Sequence, residues 1–286
     1  PRVTGGADCW PAPLAPDAAD LEVAAARTIP DRRHKGAREI EQLYVDAHFE
    51  DLLAFCQEFQ RLTGVRAVLT CMTPHSPILA RGLSGAVFEA ERYWDRIAQL
   101  QEHGIIGLHG HFVRGFDGDH PRPMHCCFHN LEHVKRQIDT ELEALVSRGL
   151  MPEYGRIYSG GWWFTSSALR AALAERGFTW DYSLSSSDFN RSQGSESLGL
   201  AQQDGMMVQS FGPVTLRSPM AVSGISKAPR PFHAATKIWR QARRQGGGRV
   251  ALSLYSHDYD LHRPSALAFT ERALEAGLTF AEPCAA

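Results

Sequence analysis

The segment Gly107-Leu-His-Gly-His-Phe112 holds two histidines two residues apart. On a strand that spacing turns both imidazoles to one face. Two neutral imidazoles at a strand end make half a site for Zn²⁺ or a similar divalent ion. Gly107 and Gly110 leave room for a ligand beside them. The plainer alternative is a pair of hydrogen-bonded structural histidines. A second segment, Leu252-Ser-Leu-Tyr-Ser-His257-Asp-Tyr-Asp260, ends an apolar run in a histidine followed by two acids. Such an imidazole can act as general acid or base near neutral pH, and Asp258 or Asp260 can orient it. A surface-loop histidine is the competing reading. His129-Asn-Leu-Glu-His133 matches the His-x-x-Glu-His pattern of inverted zinc peptidases. Matches of five residues arise by chance, and the surrounding pattern is that of a connecting helix, so a solvated or capping role is expected there.

The elements that must position these residues alternate. Apolar spacing predicts a helix over 36–63 stopped by Gly64, with a strand over 43–49 as its rival. Strands are expected at 65–72, 105–113, 156–160, 178–183, 206–211, 214–217, 250–255 and 278–281. Helices are expected at 88–103, 130–148, 166–176, 232–245 and 265–276. Residues 114–124 and 185–205 read as loops, and residues 2–8 as a short first strand ending in Asp8. Repeated strand–helix units imply a mainly parallel sheet buried on both faces. Seven or eight units in this length suggest one domain over 1–286, a complete or distorted (β/α) barrel with an irregular segment at 1–35. In such folds the C-terminal strand ends line the site. That rule selects 71–75, 109–111, 158–163, 181–183 and 257–260.

Composition narrows the function. The 286 residues are 43% hydrophobic and 22% charged, with net charge −2, which is globular. Near-neutral charge argues against a nucleic-acid or membrane-surface partner held by charge. The sequence has no apolar run long enough to span a bilayer. Residues 1–10 lack the basic and apolar regions of a secretory leader, so the expectation is a cytoplasmic protein. The six cysteines form no Cys-x-x-Cys pair and read as reduced small hydrophobes. The basic stretch Lys237, Arg240, Arg243, Arg244 and Arg249 reads as a solvated helix face, with an anionic substrate as the alternative.

Taken in order, these pieces resemble the polysaccharide deacetylase family, whose NodB-homology fold is a distorted barrel. Ile105-Ile-Gly-Leu-His109-Gly-His111 is similar to its second motif, in which the first histidine binds the metal. Arg156-Ile-Tyr-Ser-Gly-Gly161, followed by the 166–176 helix and Gly177-Phe-Thr-Trp-Asp181, resembles its third motif, in which a strand arginine orders the catalytic acid. Leu252-Ser-Leu-Tyr-Ser-His257 resembles its last motif, a strand ending in the general acid. The resemblance spans about residues 65–285, and order and spacing carry it rather than any one motif. Two departures stand out. The family's second metal histidine falls four residues after the first, where this chain has Val113, so His111 or a histidine of the 120–129 loop must substitute. The family's paired acids are also missing. Asp8 and Asp46 are the two candidates, the latter bringing His48. A helix over 36–63 favours Asp8.

The resemblance implies a metal-dependent hydrolase that removes an N-acetyl or similar acyl group from a sugar or glycan. A divalent ion, zinc first, would sit on Asp8, His109 and His111. Asp46 or Asp8 would serve the attacking water, His257 would protonate the leaving amine, and Arg156 would fix a carboxylate. Aromatic residues near strand ends, Trp162, Trp163 and Tyr255 foremost, offer flat faces on which sugar rings stack. The rival expectations are a catalytically inactive carbohydrate-binding protein on the same scaffold and a hydrolase of a non-sugar amide or ester.

Overall fold

A computed structural model describes residues 46–79, 90–117, 120–123, 131–153, 155–161, 165–184, 198–203, 205–224, 251–255 and 261–283. Helix α1 (Asp46–Thr63) comes first. It buries Phe55, Cys56 and Phe59, a helical spacing that makes one apolar stripe. Gly64 ends it at φ +74, donating its N–H to the Gln60 carbonyl at 2.8 Å. The predicted helix is therefore present over its described part, and the rival strand is absent from residue 46 onward. Asp46 opens a helix instead of closing a strand.

Strand β1 (Ala67–Cys71) leads through α2 (Ala90–Gln101) to β2 (Gly104–Gly110). A hairpin, β3 (Val113–Asp117) and β4 (His120–Pro123), follows, where the Gly-, Asp- and Pro-rich sequence suggests only a loop. Then come α3 (Leu131–Ser147), β5 (Arg156–Gly160), α4 (Ser167–Ala174) and β6 (Phe178–Asp181). The Ser166 hydroxyl caps α4 by accepting from the Leu169 N–H, the usual use of serine at that position. Next are β7 (Ala201–Gln203), β8 (Met206–Phe211), β9 (Val214–Ser218), β10 (Met220–Gly224), β11 (Leu252–Tyr255) and α5 (Arg263–Glu275).

The main sheet has the order β1-β2-β5-β6-β9-β8-β7. Its β1-β2-β5-β6-β9 part is parallel, and β8 and β7 add antiparallel. β10 and β11 form a separate parallel pair. The chain is thus an α/β protein with a mostly parallel seven-stranded sheet that does not close among the described residues. Residues 278–281 form no strand, contrary to expectation. Leu278 and Phe280 pack their side chains on an apolar cluster, and Glu282 fixes the segment by accepting from the Arg66 N–H at 2.8 Å. Packing alone satisfies that hydrophobic run.

Two apolar clusters flank the sheet. The larger joins β1, β2, β5, β9, α2, α3 and α4 around Ile106, Leu108, Ile138, Leu145, Tyr158 and Leu169. The smaller joins α1 and α5 around Cys56, Phe59 and Phe269, with Leu69 and Leu254 packed against it. Burial pushes the Cys56 thiol up to about 12, which leaves it a small hydrophobe, as its sequence context suggests. No helix among the described residues is long and apolar enough to cross a membrane.

Candidate metal-binding site

β2 alternates faces. Ile106 and Leu108 enter the larger core, so Gly107 and His109 face the other way. His111, one residue beyond the strand, turns back to the same side. The two Nε2 atoms stand 2.9 Å apart, with ring centroids at 4.6 Å and planes at 73°. Two nitrogens on one tetrahedral zinc, each bound at 2.0–2.1 Å, are roughly 3.3 Å apart. The observed pair needs only a few tenths of an ångström to reach that separation. As it stands, 2.9 Å is the length of an N–H···N hydrogen bond between the rings, and two imidazoles so placed are also a donor set that suits a divalent ion. Among the described residues no group of three His, Cys, Asp or Glu side chains converges as a metal site. Asp8 and residues 124–129 lie outside the described residues.

Glycines make the space. A Cβ at Gly161 would lie 2.4 Å from the His111 Cγ and Nδ1, so the ring occupies the place of a side chain there. A Cβ at Gly110 would lie 2.7 Å from the Tyr158 hydroxyl. In register, His109 neighbours Ser159 on β5. The same face carries Ile157, Trp180 and Arg217, which follow as register partners across β5, β6 and β9.

Behind the pair lies a buried polar chain. Gln137 Nε2 donates to the His111 carbonyl at 3.1 Å and to Glu141 Oε1 at 2.9 Å. The other carboxyl oxygen of Glu141 accepts from the Thr73 hydroxyl at 3.0 Å. Thr73 stands just past β1, so α3 links the C-terminal ends of β1 and β2. Glu141 is 1% exposed, and burial pushes its carboxyl up to about 7 against the hydrogen bonds from Gln137 and Thr73. Sequence reading missed this chain. Its one visible signal is that Gln137 and Glu141 lie within the stripe of Val134, Ile138, Leu142 and Leu145 on α3.

Two arginines stand out in the network around β5 and β6. Arg156 begins β5, at the opposite end from Ser159 and His109, and its guanidinium holds the carbonyls of Pro152 and Arg176. These bonds tie the start of β5 to the segments before β5 and after α4. Arg170 on α4 holds a buried carboxylate. Its Nη1 donates to Asp181 Oδ2 at 2.6 Å, and both side chains are fully buried. Arg170 also reaches Ser218, Gln209 and the Leu216 carbonyl. Asp181 further accepts from Thr165 and from the Ser183 N–H. This network joins β6, β8 and β9 and gives Asp181 a structural task.

Val113 is 5% exposed within the larger core, so that position faces packing. This favours His111 as partner of His109. Tyr255 ends β11, half-buried, with its alternate neighbour Leu254 on the smaller cluster. His133 is exposed on α3, and Glu132 beside it pairs with Lys135 at 3.5 Å, in keeping with a solvated role. Asp8, Trp162, Trp163 and His257 lie outside the described residues, as do His129, Asp258, Asp260 and the basic stretch at 237–249. Asp46 is placed only as the first residue of α1. No family model and no curated protein sequence matches the chain.

Proposed function

We propose that the protein is a metal-dependent hydrolase of the polysaccharide deacetylase type, removing an N-acetyl or similar acyl group from a sugar or glycan. The observation that carries it is the convergence of His109 and His111 at a strand end, Nε2 to Nε2 at 2.9 Å. His109, His111 and an acid would hold a divalent ion, zinc first. With Asp46 on a helix, Asp8 is the better candidate for that acid. A bound ion supplies a Lewis acid for the acyl carbonyl and lowers the pKa of water.

The chain's own residues do the rest. His257, beyond the end of β11, donates a proton to the leaving amine, with Asp258 or Asp260 holding its tautomer. Asp46 or Asp8 takes the proton of the attacking water. Trp162, Trp163 and Tyr255 offer faces to a sugar ring.

The test is metal content of the purified protein by elemental mass spectrometry, beside a His109→Ala/His111→Ala variant. About one equivalent in the parent, lost in the variant, is expected. Turnover is then read on acetylated sugars, chitin oligomers and cyclic amides. There His257→Ala should slow the productive substrate by about 10²–10⁴-fold, the scale of a general acid. A parent that takes up no metal even from added Zn²⁺, yet binds glycans saturably, would replace the hydrolase with a binding protein.

A further inference from the structure

Two residues of α3 are tied to the site yet have no part in the chemistry above. Gln137 uses both amide hydrogens, one on the His111 carbonyl at 3.1 Å and one on Glu141 at 2.9 Å. Glu141 takes Gln137 on one oxygen and the Thr73 hydroxyl on the other. Thr73 Oγ1 in turn accepts from the His75 N–H at 3.2 Å, so its hydroxyl proton is committed to Glu141. Gln137 donates to its neighbours on both sides, and the Glu141 carboxyl accepts from Gln137 on one oxygen and from Thr73 on the other.

Its ends matter. His111 lies one residue past the last register pair of β2 and β5, Gly110↔Gly160. The Gln137 amide holds the His111 carbonyl and so restrains the peptide that follows the imidazole. Opposite, Gly161 allows the ring against its backbone with no room for a Cβ. Polar groups that orient a metal ligand typically change metal affinity by about 10–100-fold when removed.

We infer that Glu141 and Gln137 are positioning residues that hold the His109–His111 pair converged, with Thr73 anchoring the chain to the end of β1. The part of this that concerns ligand strength rests on the function proposed above. The part that concerns imidazole geometry does not.

The experiment uses the full chain, parent and the variants Gln137→Leu, Glu141→Gln and Phe269→Leu. Phe269 lies in the smaller cluster and serves as a packing control. The first readout is nuclear magnetic resonance of the histidine rings in metal-free protein. Gln137→Leu and Glu141→Gln should shift the His109 and His111 ring signals and their tautomer balance, and Phe269→Leu should not. The second is Zn²⁺ affinity by competition with a chromophoric chelator. The two network variants should bind about 10–100-fold more weakly, and Phe269→Leu as the parent does. Unmoved ring signals in both network variants would overturn the inference. Ring signals that move in a protein whose parent takes no zinc would uphold the positioning and sink the metal reading. If neither network variant folds, Thr73→Val and Thr73→Ser replace them. Valine should move the ring signals and serine should restore them; signals unmoved by valine would again overturn the inference.

Discussion

At the residue scale, two positions make sharp demands. Gly161 has no space for a Cβ against the His111 ring, and ring and backbone cannot both stay in place if one is added. Gly161→Ala should keep the fold, by circular dichroism, while weakening Zn²⁺ binding at least about tenfold, the scale of a disturbed ligand environment. Parent-like affinity would contradict the placement of that ring. Glu141 makes a second demand, through pH. Its carboxyl rises from 4.5 to about 7 on folding, chiefly by burial. Below pH 4.5 it is protonated in both states. Between 4.5 and 7 the folded protein keeps a proton that the unfolded chain releases, so stability falls as pH rises. Above 7 the loss is complete, on the order of 3 kcal/mol. The difference in unfolding free energy between parent and Glu141→Gln should therefore drop from pH 4 to pH 8, and a flat difference would show the group already ionised. The histidine pair was legible because a two-residue spacing on a strand fixes a face. Glu141 and Thr73 were not, because a hydrogen bond across 68 positions leaves no periodic trace. The buried pair of Arg170 with Asp181 was hidden for the same reason. Residue type suggests an arginine for an acid, and only packing says which arginine reaches one.

At the element scale, boundaries follow local chemistry. Gly64 and Gly149 stop α1 and α3 at φ +74 and +69, as their place after apolar helical runs predicts. A Cβ at Gly64 meets nothing within 4 Å. Gly64→Ala should therefore cost only the left-handed backbone strain, roughly 1–2 kcal/mol by denaturant titration. A larger loss would mean a steric cost that the open surroundings do not provide. The β3–β4 hairpin escaped the sequence because Pro121, Pro123 and the Gly115–Gly118 region read as breakers. A two-stranded ribbon outside the main sheet tolerates them. The pairing of Arg170 with Asp181 is an element-level device, since it bonds α4 to β6 and, through Ser218 and Gln209, to β9 and β8. Arg170→Met leaves a buried carboxylate with its principal cation gone. That should destabilise by about 3–5 kcal/mol, read as a lowered denaturant midpoint, and a neutral result would show that the pair does not hold these elements together.

At the scale of the whole molecule, the strand–helix rhythm was enough to foresee a mainly parallel sheet covered by helices, because continuous apolar strands between amphipathic helices allow little else. The antiparallel addition of β8 and β7 was not visible, since strand direction leaves no mark on a short alternating segment. The sheet order is likewise a product of long-range packing. One of its junctions is unlike the rest. β6 meets β9 through the single register pair Trp180 and Arg217, whereas β8 and β9 are zipped along their length. The β7–β9 meander is thus a panel hung on the parallel sheet, and Arg170 is the bolt across the joint. A panel of this kind opens as one cooperative unit below the free energy of global unfolding. Its amides should exchange hydrogen sooner than those of β2 and β5, and loosening the bolt should release the whole meander together.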